Sequence, residues 1–383
     1  LFGLYRPDIS QALIDAGAPP FRQAQVLEHL LRRPHLSLAE ATVLPGGLRV
    51  RLEECGETSL QVEASLTAAD GTVKFLLSAA DGARIETVLM PYRDRVTVCV
   101  STQVGCPVGC AFCATGGMGF GRNLSVAEIV DQVRVASISA ASQDKRISNV
   151  VYMGMGEPLL NLGAVLGSIK VLTAPRGLGM AHRALSVSTI GIPAGITRLG
   201  REEPQVNLAL SLHAADDETR ARLVPDRYRH PLSDILDAAW EHFAMTHRKL
   251  LVEYVLLGGV NDSPEDARRL AALLRGHVVT VNLLAWNPVD PRGPAAPRGP
   301  AGRTAPEVSG RLKKAAFPPG PPAAPTVPAV RLRPPAAAAV AAFLSVLREA
   351  HVETVVRRSR GVGIGAACGQ LAARPSSYRS GGG

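Results

Sequence analysis

Cys106-Pro-Val-Gly-Cys110-Ala-Phe-Cys113 follows almost directly on Val96-Thr-Val-Cys-Val100, a run whose β-branched residues predict a strand. Outward from this point the chain alternates. Strand-like blocks are expected at 150–153, 185–189, 207–212, 251–256, 278–284 and 354–356, and helical periodicity at 125–139, 162–173, 232–246 and 264–274. Repeated β–α units predict an α/β fold with a parallel sheet and right-handed crossovers, either open or curled into a full or partial β/α barrel. Chemistry in such a fold belongs at the C-terminal ends of the strands. The polar stretches at 154–158, 188–191, 211–213, 259–262 and 287–288 all fall there.

Upstream, residues 1–54 read as an N-terminal helical domain, broken by Gly17-Ala-Pro-Pro20. Residues 55–95 read as a β linker, with hairpin turns at Asp70-Gly71 and Asp81-Gly82 leading into the core at 96–290. Residues 336–374 supply a last helix and strand, and 375–383 a flexible tail. Between the two core pieces, 291–335 is a low-complexity excursion. The stretch 291–342 holds thirteen Pro and fifteen Ala in 52 positions, a composition that cannot pack a core. It reads as a tolerated surface insertion or an artefact of the gene model.

That stretch also decides how the charge is interpreted. The net charge is +9, but 291–342 contributes +7 of it, leaving +2 for the rest, so bulk basicity does not identify a nucleic-acid surface. With 46% hydrophobic and 20% charged residues, most of the 383-residue chain is neither disordered nor membrane-spanning. Six cysteines are too few for a disulfide scaffold and point to metal or redox chemistry in a reducing compartment. No basic-then-apolar leader follows Leu1, which predicts a cytoplasmic protein, or an organellar one if a targeting peptide has been lost.

Cys106, Cys110 and Cys113 form a C-x3-C-x2-C array with Phe112 before the third cysteine. Three thiolates from one loop can hold three irons of a [4Fe–4S] cluster and leave the fourth open to another ligand. A zinc site completed from a distance, or simply buried thiols, remains open on spacing alone; the next histidine is His182. The run Gly116-Gly-Met-Gly-Phe-Gly121 lacks the Lys-Ser/Thr of a phosphate loop and is expected to be a flexible turn beside the thiols.

The array has the spacing of the radical S-adenosylmethionine (SAM) enzymes. Its context extends the likeness: Cys99-Val-Ser-Thr-Gln-Val-Gly-Cys106, Gly119-Phe-Gly-Arg-Asn-Leu124, Gly154-Met-Gly-Glu-Pro158, Ser211-Leu-His213, Trp286-Asn-Pro288, and Arg358-Ser-Arg-Gly361 running into Ala367-Cys-Gly-Gln370. Together these resemble the large-subunit ribosomal RNA adenine-C2 methyltransferases, which also act on some transfer RNAs. A sister group that methylates carbon 8 of the same adenine shares nearly all of the motifs.

The resemblance implies two cofactors, a [4Fe–4S] cluster on Cys106, Cys110 and Cys113, and SAM held by Gly156, Glu157, Ser188, Ser211, Leu212, His213 and Asn287. It implies that Cys368 is methylated, that its methyl carbon becomes a radical and adds to the adenine, and that Cys99 resolves the covalent RNA adduct by forming a disulfide with Cys368. Glu86, thirteen residues before Cys99, corresponds to the family's proton acceptor; on sequence alone a solvated strand carboxylate is an equal reading. The implied partners are large-subunit rRNA, tRNA and a low-potential electron donor such as flavodoxin or ferredoxin, with the enzyme a monomer off the membrane. Arg22, Arg32, Arg33, Arg122 and Arg183 are candidates for RNA backbone contact. A non-catalytic, metal-stabilised RNA-binding protein is the alternative of a different class.

Overall fold

The computed structural model describes residues 2–289 and 332–373. Most of the excursion at 291–335 and the tail at 375–383 therefore lie outside the described residues, as do the basic side chains from Arg292 to Arg331.

Four helices open the chain: α1 (Phe2–Tyr5), α2 (Pro7–Asp15), α3 (Phe21–Arg32) and α4 (Gly46–Glu54). Three antiparallel strands follow, β1 (Leu60–Thr67), β2 (Val73–Ala79) and β3 (Arg84–Pro91), joined by the expected Asp-Gly turns. Asp70 and Asp81 each accept from the N–H two residues on, at 2.9 and 3.0 Å, the local bond that makes aspartate a turn residue. β4 (Val96–Cys99) is antiparallel to β3 on one side and parallel to β7 (Asn149–Tyr152) on the other, so the linker hairpins continue into the main sheet.

From β4 onward the chain alternates: α5 (Val126–Ala141) precedes β7, then come α6 (Leu162–Thr173), β8 (Leu185–Thr189), α7 (Pro193–Glu202), β9 (Asn207–Ser211), α8 (Asp217–Ala221), α9 (Leu232–Thr246), β10 (Leu250–Leu256), α10 (Pro264–Leu274) and β11 (Val279–Ala285). After the undescribed stretch, α11 (Ala337–Glu349) and β12 (Thr354–Val356) rejoin the same sheet. The strand order is β1-β2-β3-β4-β7-β8-β9-β10-β11-β12, parallel from β4 to β12. Each crossover from β7 to β12 advances one place in the order. The order is linear among the described residues, so the barrel is partial.

Helices α5 and α10 start at serine caps. Ser125 and Ser263 accept from the N–H groups of Glu128 and Asp266, whose carboxylates reach back to the cap N–H. The N-terminal helices dock on α5, where the buried Tyr5 hydroxyl donates to Asp131 and Arg134 donates to the carbonyls of Leu30 and Pro34. Phe343 of α11 is fully buried, its ring centroid 5.3 Å from that of Tyr254 on β10.

The glycine-rich run departs from expectation. Residues 116–118 form one tight helical turn, and Phe120–Asn123 is a strand, β6, paired antiparallel with β5 (Gln103–Gly105). The turn is dictated by contact: a Cβ on Gly116 would lie 2.9 Å from both the N and the O of Cys110.

Candidate active site

A cavity opens at the C-terminal ends of the parallel strands and encloses about 970 Å³, open solvent at its mouth included. The loop after β4 brings Cys106, Cys110 and Cys113 to its wall. This loop is held from within and without: the Cys113 N–H donates to the Cys110 carbonyl at 3.1 Å, the Ala111 N–H to Leu223 O at 3.0 Å, and the Trp286 indole to Phe112 O at 2.9 Å. Phe112 packs with Ile190, Leu223, Val224 and Leu257 in a small apolar cluster behind the thiols.

All three thiols are free. Burial pushes Cys106 up to about 12, with the Cys113 charge adding to it. Cys110 is raised well above the usual thiol range by burial and by both neighbouring sulfurs, against which the buried Arg220 guanidinium acts. Desolvation of this kind disfavours the thiolate form of Cys106 and Cys110 unless cationic centres stand beside them. Cys106, Cys110 and Cys113 all line this cavity, and three thiol donors from one loop are the ligand chemistry of an iron–sulfur group.

The loop after β7 contributes Gly156 and Glu157. Gly156 has φ +102°, and a Cβ there would stand 2.6 Å from Gln103 Cβ, so packing against β5 requires glycine independently of any ligand. Glu157 is 3% exposed, and its two oxygens accept from the N–H groups of Leu159 (3.0 Å) and Ile190 (2.9 Å). Burial outweighs those bonds and raises its pKa to about 7. Remaining lone pairs can take an ammonium from the cavity side.

Ser188 and Ser211 end neighbouring strands and line the cavity together, their hydroxyls 3.0 Å apart. Of the Ser211–His213 run, Ser211 and His213 line the wall. Leu212 does not: strand alternation turns its side chain into the core, fully buried, and its N–H donates to the Glu253 carbonyl. His213 sits edge-on to Phe112, with ring centroids 4.7 Å apart, and Nδ1 accepts from the Val255 N–H at 3.2 Å. Burial, then the Arg220 charge, lowers its pKa to about 3, which keeps the imidazole neutral.

Cys368 reaches this cavity from the far end of the chain. Its side chain is exposed, it lines the cavity, and desolvation there raises its pKa. Asn287 lines the same wall, and its amide donates to the Cys368 carbonyl at 3.4 Å. Cys99, 9% exposed at the end of β4, does not line the cavity; burial pushes it up to about 12, and the charge of Cys368 raises it further. Glu86 does not line it either. The solvated-carboxylate alternative is corrected: Glu86 is 1% exposed, ion-paired with Lys74 at 2.9 Å, and accepts from the Ala372 N–H at 2.8 Å.

The arginine candidates divide. Arg122 is clasped by Asp81 and Glu128, Arg22 donates to Val43 O, and Arg32 donates to the Gly177 and Pro175 carbonyls. Arg33 and Arg183 are exposed. Sequence reasoning missed Arg220 and Glu253. Arg220, in α8, is wholly buried and donates to the Ile190 and His230 carbonyls; no local pattern in the sequence marks it. Glu253 lines the cavity, bonded by Asn282 at 2.8 Å, and its signal is a lone acid in an apolar strand.

The radical SAM superfamily profile matches residues 100–271. The chain is 42% identical over 379 residues to a protein of Heliobacterium modesticaldum named probable dual-specificity RNA methyltransferase RlmN, covering 97% of this chain and 89% of that one. It is 40% identical over 368 residues to the dual-specificity RNA methyltransferase RlmN of Syntrophobacter fumaroxidans, covering 96% of each. A crystal structure of a radical SAM methyltransferase from Sphaerobacter thermophilus superposes with a TM-score of 0.83 at 38% identity, over 98% of this chain and 99% of that one. With such identity sustained from the N-terminal helices to the Cys368 segment, the chain belongs to the RlmN-type family of radical SAM RNA methyltransferases.

Proposed function

We propose that this enzyme methylates carbon 2 of a specific adenine in large-subunit ribosomal RNA and in transfer RNA, using Cys368 as the methyl carrier. The observation that carries the reading is the arrival of Cys368 in the cavity that Cys106, Cys110 and Cys113 line. Adenine carbons 2 and 8 are too weakly nucleophilic to take a methyl group from a sulfonium directly, which is why the family couples a [4Fe–4S] cluster to SAM. When bound, these groups supply the methyl group and hydrogen-atom abstraction.

In this reading Cys106, Cys110 and Cys113 hold the cluster. Glu157 accepts from the cofactor's ammonium, Gly156, Ser188, Ser211, His213 and Asn287 line its place, and Leu212 contributes backbone alone. The neutral imidazole of His213 suits a contact and not a base. Cys368 carries the methyl carbon and becomes joined through it to the adenine. Glu86, bonded to the same C-terminal segment, takes the proton from the ring carbon. Cys99 then attacks the Cys368 sulfur; the S–S bond forms as the carbon–sulfur bond breaks, its electron pair passing to the former methyl carbon, which takes up a proton to complete the methyl group, while the single electron left by the addition would return to the bound cluster.

A base inside folded RNA must leave its stack to enter this cavity. Residues 1–54, with the exposed Arg33 and Arg183, are the surface assigned to the RNA backbone. A flavodoxin- or ferredoxin-type donor, a monomeric state and a cytoplasmic location belong to the same reading. Among the described residues, no helix is long and apolar enough to cross a membrane.

The test is anaerobic iron reconstitution followed by turnover with methyl-labelled SAM on rRNA and tRNA fragments, with chromatography and mass spectrometry of the nucleosides. The expected product is 2-methyladenosine. Recovery of 8-methyladenosine alone rejects the carbon-2 assignment, and zinc in place of iron with no product rejects catalysis.

A further inference from the structure

Lys74 and Glu86 stand on adjacent antiparallel strands. Lys74 pairs with Val88 and Leu76 with Glu86, so the two side chains are diagonal neighbours on one face. Both are almost completely buried, at 2% and 1% exposure. The desolvation penalty of so deep a pair commonly equals or exceeds its attraction, so stability alone is a poor reason for its presence.

Each member of the pair also bonds to the C-terminal segment. Lys74 Nζ donates to the Gly365 carbonyl at 3.3 Å, and Glu86 Oε2 accepts from the Ala372 N–H at 2.8 Å. These contacts fall three residues before and four residues after Cys368. Between them the segment has no strand or long helix to stiffen it, and Gly365 and Gly369 both adopt positive φ. Its other side is tied to the cluster loop, where the Ala114 N–H donates to Gly369 O and the Thr115 hydroxyl to Leu371 O, each at 2.7 Å.

We propose that Lys74 is a positioning residue for Cys368: with Glu86 it forms a two-ended clamp that holds the segment across the cavity from beneath. The pair bridges Gly365 and Ala372, completing on the hairpin side the hold that the thiol loop has on the other, so that the segment presents its thiol to the cavity. The inference rests on the assignment of Cys368 as the methyl carrier, and its test separates the two.

Hydrogen–deuterium exchange of residues 361–373 and the rate of Cys368 alkylation by N-ethylmaleimide are compared in the full-length native protein, Lys74→Met, Lys74→Arg, and the double variant Lys74→Met/Glu86→Gln. Lys74→Met alone strands a buried carboxylate and can unfold, whereas the double variant removes both charges. The expected result in Lys74→Met and the double variant is exchange of this segment faster by about tenfold, with β10 and β11 still protected and iron content unchanged, and partial recovery in Lys74→Arg. Methylation of Cys368, read by peptide mass spectrometry, falls in parallel. Native exchange and alkylation rates in the folded double variant overturn the clamp. Faster exchange, together with a native Cys368 that never carries a methyl group during turnover, supports the clamp and overturns the carrier assignment.

Discussion

From Cys106 to Cys113 the loop keeps three thiols within one short stretch, secured by its own Cys110–Cys113 turn and by the apolar cluster behind Phe112. Cys368 enters the same cavity 255 residues after Cys113, on a segment secured by scattered bonds to the β2–β3 hairpin, to the thiol loop and to Asn287. One thiol set is local and rigid; the other sulfur is remote and held from outside. The difference assigns separate parts of the reaction to separate parts of the chain, and each part is open to its own failure.

The largest effect is expected from Cys110→Ala. With one of three thiolates gone, the iron–sulfur absorbance is lost and methylation falls to the detection limit. A variant that retains a full cluster and activity would show that the thiol loop is not the cofactor's holder. Next comes Cys368→Ala, which is expected to keep its iron while losing all methyl transfer. Cys99→Ala sharpens the contrast: methyl transfer begins but release fails, so labelled RNA runs cross-linked to protein on a denaturing gel. If the two variants behave alike, the carrier and resolving roles are not divided as assigned.

Smaller in effect is Phe343→Ala, which empties a fully buried site against Tyr254 and is expected to cost about 3–5 kcal/mol in denaturant unfolding. A near-zero cost would mean that α11, which lies beyond the Pro/Ala stretch, is not integral to the core. The smallest effect concerns pH. Burial holds His213 at about 3 and His242 at about 4, against about 6.5 in an unfolded chain. Between those values the unfolded state binds the extra protons, so this contribution is complete above about pH 6.5 and declines as pH falls toward 4. Glu157, raised to about 7, works in the opposite sense across much of that window. The measurement is therefore the difference in melting temperature between native protein and His242→Leu at pH 7 and pH 5. The native protein should lose more on acidification; equal losses would remove His242 from the account.

The parallel core was legible because its sequence agrees with it at every level. The segments 162–173, 232–246 and 264–274 carry helical periodicity bounded by Asn, Pro or Ser, and form helices over those same residues. The β5–β6 ribbon was not legible, since Gly119-Phe-Gly121 has turn composition and becomes a strand only by pairing with Gln103–Gly105. Helix α7 was missed because Gly195 and Gly200 weaken its signal; both are needed for close packing, against Leu159 and His242. At the site, the gathering of three thiols on one wall was legible because they are neighbours in sequence. The engagement of Glu86 by Lys74 and Ala372, the burial of Arg220 and the alignment of Glu253 with the cavity are products of tertiary packing, with no local pattern to announce them.

Cys99 closes a four-residue strand that is paired on both sides, with Val88 and with Val151. It is a fixed post in the sheet, so any travel that joins the two sulfurs belongs to the Cys368 arm. Each turnover by the proposed route then ends with that arm moored to the sheet, in a closed ring spanning most of the chain. The enzyme must be unmoored by an outside thiol reductant before it can be methylated again, which makes its working rate answer to the reducing power of its surroundings as well as to the supply of RNA.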